Sequence, residues 1–184
     1  MDLKSVKIST TPSVVIRLLL WFVLLVGGAL LSFRLDAALF AGWERGLLRH
    51  LAALAGGVAV GTLAFRAAAA GGRELARRGR EGKLPRLETN RLVTTGIYAC
   101  TRHPMLFGLT LLPLSLALML GSPAFILLVA PLEALLILLM ILTLEEREAV
   151  GKFGEEYREY RRQTPLIPRS RECWKRLFGN GEKR

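Results

Sequence analysis

Cysteine is scarce in this chain, with two in 184 residues. Cys100 and Cys173 are isolated and fall on the side predicted below to be cytoplasmic, so neither a disulfide framework nor a Cys/His metal centre is suggested and both read as free thiols. Carboxylates are also few, 15 against 26 lysines and arginines, for a net charge of +11. That surplus does not describe a nucleic-acid-binding face, because the basic residues fall between long apolar runs rather than along one polar domain. No internal repeat or low-complexity tract is present. The first apolar run, Val14 to Phe33, lacks a small-residue cleavage site and reads as a retained span, not a removed leader. What the chain has in quantity is apolar residues, 52% of the total. That is too many for an ordinary soluble domain of one domain's length.

A bilayer core about 30 Å thick takes roughly 20 apolar residues of helix. Four stretches approach this: 14–33, 47–70, 105–120 and 123–144. The second carries Gly57 and Gly61 in GxxxG spacing, a device for close helix packing. The third and fourth are separated by Gly121-Ser122, with Pro123 opening the next helix, so they form a tight antiparallel hairpin. Residues before Met105 and after Leu144 therefore return to one membrane face. Seven lysines and arginines lie between Gly71 and Arg91, and eleven follow Leu144. The positive-inside rule puts both segments, and with four spans both termini, in the cytoplasm. Lys4 and Lys7 would then be inside, and residues 34–46, with Arg34 and Arg45, outside. The expected fold is a single all-α integral membrane domain over 1–184, with four spans, a C-terminal hairpin and cytoplasmic interfacial helices.

Two polar motifs flank the hairpin. The first, TTGIYACTRHPMLFG (94–108), leads through Tyr98 to Arg102-His103-Pro104 at the mouth of the third span; Pro104 suits a helix's first turn and biases His103 toward extended backbone. Taken alone, Arg102 is a snorkelling anchor and His103 a surface histidine. The second begins with Glu145-Glu146 and runs through GKFGEEYREYRRQTPLIPR to Arg169. Within it Val150, Phe153, Tyr157 and Tyr160 lie at helical spacing, predicting an amphipathic interfacial helix that stops near Pro165; such aromatics more often pack than touch ligands. The hairpin brings acids and bases of the two motifs to one face.

The order G-x-Y, RHP, a membrane hairpin, EE, FG-x-x-Y-x-x-Y and P-x-x-P resembles the isoprenylcysteine carboxyl methyltransferase family and its phospholipid methyltransferase relatives. The likeness runs from Thr94 to Arg169. It implies a metal-free pocket for S-adenosylmethionine in 94–169, delivering a methyl group to a lipophilic acceptor from the bilayer. Carried over by position, the cofactor-binding residues are Tyr98, Arg102, His103, Pro104, Glu145, Glu146 and Tyr157. Arg102 and His103 would hold the cofactor's carboxylate, and Glu146 its ammonium or ribose diol. Many relatives have an aromatic residue where this chain has Leu106.

The acceptor stays open among a prenyl-type carboxylate, a phospholipid amine and a small thiol. No lysine or arginine lies between His103 and Arg147, so Arg102 or Arg147 meets a carboxylate acceptor, or the acceptor is not one. Glu133, an ionisable residue near mid-span, reads either as a structural carboxyl or as the group that orients or deprotonates an amine or thiol. Arg102 and Glu133 are thus the candidate catalytic residues. Arg17 and Arg66, near span ends, read as snorkelling. The tail Glu172–Phe178 reads as a further interfacial anchor. Competing classes are a nicotinamide-dependent membrane reductase similar to the sterol reductases, and a non-enzymatic scaffold whose basic loops bind anionic lipid.

Overall fold

A computed structural model of the chain describes residues 10–43, 46–82 and 89–179. Lys4, Lys7, Arg45, Lys83, Arg86, Lys183 and Arg184, which entered the charge count, lie outside those residues. The described residues are helical, without a strand. Among the described residues three helices, Leu19–Leu39, Leu47–Arg78 and Phe125–Gln163, are long and apolar enough to cross a membrane, and Pro104–Leu120 is a shorter apolar one.

Helix α1 (Thr10–Leu39) buries a narrow stripe, Gly28, Ser32 and Asp36, at a spacing of four residues. Phe22, Val23, Leu30 and Leu31 remain exposed around it. Small and polar residues inward with apolar residues outward is the pattern a lipid-facing helix requires. The stripe also carries α1 through Arg34 to Leu39, where the sequence predicts an outer loop from residue 34. Asp36 accepts the Ala124 N–H at 2.8 Å, a tertiary bond that holds the last turns.

Helix α2 (Leu47–Arg78) buries Gly57, Gly61, Ala64, Ala67 and Gly71. The backbones it meets come very close. A Cβ on Gly57 would stand 2.8 Å from the Ser115 carbonyl, and one on Gly108 would stand 2.4 Å from that of Ala64. Ser115 donates to the Gly57 carbonyl at 2.8 Å. The helix continues eight residues past Ala70, where a loop is predicted from Gly71, because Gly71 is packed on Pro104 and Met105 and the residues beyond it are mostly good helix formers.

The third apolar segment is two helices, α3 (Pro104–Thr110) and α4 (Leu112–Leu120). The break falls at Leu111, because Pro113 has no N–H to offer the Leu109 carbonyl. Gly121, at φ 63°, turns the chain against the His50 ring, and Ser122 accepts the Phe125 N–H at 3.1 Å. The helix that follows runs as a π-turn (Phe125–Val129), α5 (Ala130–Met140), a second π-turn (Ile141–Glu145) and α6 (Glu146–Gln163), the last broken by a non-helical kink at Gly154. α5 packs on α3 and α4. Thr164, extended before Pro165, ends α6.

The two cysteines are not free thiols: Cys100 and Cys173 form a disulfide, with Cα atoms 5.3 Å apart. The pairing depends on α7 (Arg171–Phe178), which contains the tail that the sequence predicts as an interfacial anchor. Ser170 caps α7 by accepting the Cys173 N–H. Leu177 is fully buried in a core with Ala67, Val93, Ile97 and Tyr98, and Trp174 and Phe178 pack on Phe107. Arg66, read as snorkelling, donates to the Phe178 carbonyl at 3.1 Å. α7 is therefore a brace that fixes the segment carrying Tyr98 to Arg102.

Candidate active site

The centre of the site is Glu146, whose side chain is 2% exposed. Buried residues along α5 follow a four-residue step, Glu133, Ile137 and Ile141. A further step of four would bury Glu145. The π-turn at Ile141–Glu145 adds one residue, so Glu146 takes the inward position and Glu145 is displaced toward the edge. Single π-turns of this kind concentrate at functional sites because they re-aim a side chain without breaking the helix.

Four groups converge on the Glu146 carboxylate. His103 Nε2 lies 2.8 Å from Oε1, and the Tyr157 hydroxyl donates to the same oxygen at 3.0 Å. Arg102 Nε stands 3.3 Å from Oε1, and Arg161 Nε 3.2 Å from Oε2. Since an ionised carboxylate only accepts, the proton of the His103 bond sits on Nε2. Burial alone drives the Glu146 carboxyl upward, but the His103 hydrogen bond and the charge of Arg102 outweigh it and hold the group below its ordinary value. The Tyr157 phenol moves the opposite way, raised first by burial and then by the adjacent carboxylate.

The two motifs are joined by backbone as well. The Arg102 N–H donates to the Pro165 carbonyl at 3.2 Å, and the Thr101 hydroxyl to that of Leu166 at 2.5 Å. The Arg102 guanidinium donates to the Arg161 carbonyl at 3.2 Å, and the Tyr160 hydroxyl to that of Tyr98 at 2.6 Å. Gly154, at φ 58° and ψ −130°, kinks α6. That conformation suits glycine, and beyond it Tyr157 and Tyr160 are buried while Arg158 and Arg162 are exposed.

Of the candidate residues, Arg102, His103, Glu146 and Tyr157 form one connected cluster. Pro104 is buried as the first residue of α3. Tyr98 joins through its carbonyl to Tyr160, while its phenol, raised by burial, belongs to the α7 core. Glu145 pairs instead with Arg17, which also pairs with Glu148, so Arg17 has ion-pair partners at the end of its span. Burial raises the Glu145 carboxyl in spite of that partner. Glu133 is not in the cluster: it lies thirteen residues before Glu146 on the same continuous helix, about 20 Å at 1.5 Å per residue. It abuts Gly28 of α1, where a Cβ would come within 2.2 Å of its carboxyl oxygen. Sequence reasoning missed Arg161, although its place four residues after Tyr157 on a helix face was a usable signal. Arg17, 128 residues from Glu145, gave none.

Beside His103 a cavity of about 260 Å³ opens between α3 and α5. Phe107, Leu135, Leu138, Ile141 and Leu166 form its apolar walls, Thr110 adds one hydroxyl, and no lysine or arginine lines it. At the edge of the carboxylate cluster, Arg102 Nε and Glu146 Oε2 are buried and held by ion-pair contacts alone, to Glu146 Oε1 and to Arg161 Nε, without a hydrogen bond. A charged donor and a charged acceptor that keep hydrogen-bonding capacity beside an apolar cavity suit a zwitterionic ligand whose acceptor partner is lipophilic.

Comparison with known proteins gives a match to the family model described as phospholipid methyltransferase over residues 57–160. No curated protein and no solved structure matches the chain.

Proposed function

Because the chain belongs to the phospholipid methyltransferase family, whose model covers more than half of its length, we propose that it transfers a methyl group from S-adenosylmethionine to a lipophilic acceptor at the Glu146 cluster. The observation that carries this reading is the convergence of Arg102, His103 and Tyr157 on one buried carboxylate at the rim of an apolar cavity. Bound S-adenosylmethionine supplies a methyl group on a sulfonium, already activated for displacement. Arg102, with His103, suits its carboxylate; Glu146 Oε2 suits its ammonium or ribose diol. Glu145 and Tyr98 stand at the margins of this site, and Pro104 shapes it by starting α3.

The work left to the chain is positional. Glu146 fixes the orientations of His103 and Arg102, and the walls from Phe107 to Leu166 exclude water from an acceptor aligned beside them. The acceptor class stays open among a prenyl-type carboxylate, a phospholipid amine and a small thiol, because the lining offers no lysine or arginine either to a carboxylate or to a lipid phosphate. Glu133, remote from the cluster, fits a structural role in the α1–α5 contact better than proton transfer. Pro104–Leu120 serves in this reading as a fourth span, forming the tight hairpin with the helix after Gly121. By the positive-inside rule the site and both termini are cytoplasmic, with α6 and α7 at the interface.

Calorimetric titration of detergent-purified protein with S-adenosylhomocysteine and, separately, NADPH tests the reading. Saturable binding of S-adenosylhomocysteine alone is expected. Binding of NADPH alone would move the chain to the reductases, and binding of neither would favour a scaffold.

A further inference from the structure

Arg17 of α1 places one guanidinium nitrogen on the Glu145 carboxylate and the other on that of Glu148. We propose that Arg17 is a positioning residue for methyl transfer: by holding Glu145 outward, it keeps the second π-turn in the register that presents Glu146 to the site. The proposal rests on the methyl-transfer reading of the Glu146 cluster. It brings in a helix that lies outside residues 57–160, where the family match falls.

The simplest account of such an arginine is a pair of ion contacts at the membrane boundary that only fasten α1. The register of α1 against the helix that follows Gly121 asks for more. The two run antiparallel, meeting at Asp36 and the Ala124 N–H, at Gly28 and Glu133, and at Arg17 and Glu145. From Asp36 to Gly28 α1 advances eight residues, while its partner advances nine, from Ala124 to Glu133. From Gly28 to Arg17 it advances eleven, against twelve from Glu133 to Glu145. The partner has one residue more in each interval, and each interval holds one π-turn, Phe125–Val129 and Ile141–Glu145. One extra residue is what a π-turn inserts. α1, an α-helix throughout, is the ruler against which both insertions are set, and Arg17 marks the second.

Without that mark a competing register is close at hand. Glu145 is the residue that an uninterrupted α-helix would turn inward, four after Ile141, and it carries the same carboxylate as Glu146. Arg102, His103 and Arg161 surround the inward place and would attract either one. Burial disfavours the charged form of Glu145, Arg17 supports it most, and His103 supports it as well, so Glu145 already lies within reach of the cluster. Arg17 and Glu145 are only 21% and 20% exposed, and solvent screens such a pair less than one on an open surface. Glu148, three residues on, shares the outer face with Glu145, which lets one guanidinium fork grip both.

The test reads S-adenosylhomocysteine affinity by calorimetry and, without ligand, the thermal midpoint, both on the full chain in detergent. Arg17→Gln should weaken binding about tenfold. Adding Glu145→Gln to it should restore affinity to within about threefold of the unmodified protein, because a neutral side chain no longer competes for the inward place. Arg17→Lys, which keeps the charge, should also stay within about threefold. Without ligand, Glu146→Gln should lower the midpoint of the unmodified protein at least about twice as far as that of Arg17→Gln, in which Glu145 has taken the inward place. Affinity of Arg17→Gln equal to that of the unmodified protein, a paired variant as weak as Arg17→Gln alone, or an equal midpoint fall in both backgrounds would overturn the proposal. If the unmodified protein binds no S-adenosylhomocysteine, the methyl-transfer reading fails, and the midpoint comparison still decides whether Arg17 sets the register. If Arg17→Gln alone does not fold, the paired variant decides: near-normal affinity supports the clasp, and a loss of about tenfold overturns it.

Discussion

Replacing Glu146 by glutamine removes one charge and almost no volume from the centre of the site. Two guanidiniums within 3.3 Å lose their counter-charge, and the bonds from His103 and Tyr157 become neutral. Removing one partner from a buried ion pair costs about 3–5 kcal/mol. The lower end applies here, because glutamine keeps one acceptor oxygen and Arg161, about half exposed, relaxes into solvent. About 3 kcal/mol corresponds to roughly a hundredfold in an equilibrium constant. That cost divides between ligand affinity and folding: S-adenosylhomocysteine affinity falls by up to about a hundredfold at pH 7, and whatever part of the ~3 kcal/mol is not seen there appears as a lower thermal midpoint. Glu148→Gln, an exposed carboxylate nearby, serves as the control. Affinity within threefold of the unmodified protein at an unchanged midpoint would refute the reasoning.

Gly108→Ala should lower the unfolding midpoint and weaken S-adenosylhomocysteine binding together, since its Cβ would press on the Ala64 carbonyl at 2.4 Å and displace α3 with His103; Gly72→Ala, with open space around it, should leave the midpoint unchanged or raise it. The Glu146 carboxyl is held below its ordinary value of 4.5, so its ionised form stabilises the fold. That contribution is complete above pH 4.5 and is lost as pH falls through the folded value. Thermal scans from pH 3 to 7 should therefore show a decline below pH 4.5 that Glu146→Gln lessens. Reduction of Cys100–Cys173 should destabilise the brace by about 2–4 kcal/mol, read as a lower midpoint in reductant that Cys100→Ser with Cys173→Ser reproduces without reductant.

The apolar runs placed the long helices, because lipid and small-residue packing act through composition and spacing that a sequence displays openly. Their ends were less legible. α1 persists to Leu39 through the bond from Ala124 to Asp36, and α2 to Arg78 through the seat of Gly71 on Pro104, both contacts between distant residues. The cysteine pair was hidden for the same reason: it exists because Leu177 and Trp174 find a core 70 to 110 residues upstream. At the site, the residue types and the order of the motifs pointed to Arg102, His103, Glu146 and Tyr157. Helical spacing from Ile137 and Ile141 would have turned Glu145 inward, and only the π-turn transfers that position to Glu146. A register shift of one residue leaves no mark in hydrophobic periodicity.

The central claim is tested most directly by incubating the purified protein, reconstituted in phospholipid vesicles, with S-adenosylmethionine labelled in its methyl group and extracting the lipid. The account predicts label in the organic phase, time-dependent and abolished in Glu146→Gln. Absence of label from vesicles that hold amine phospholipids together with an added lipophilic thiol and a prenyl-type carboxylate, or transfer undiminished by Glu146→Gln, would contradict it.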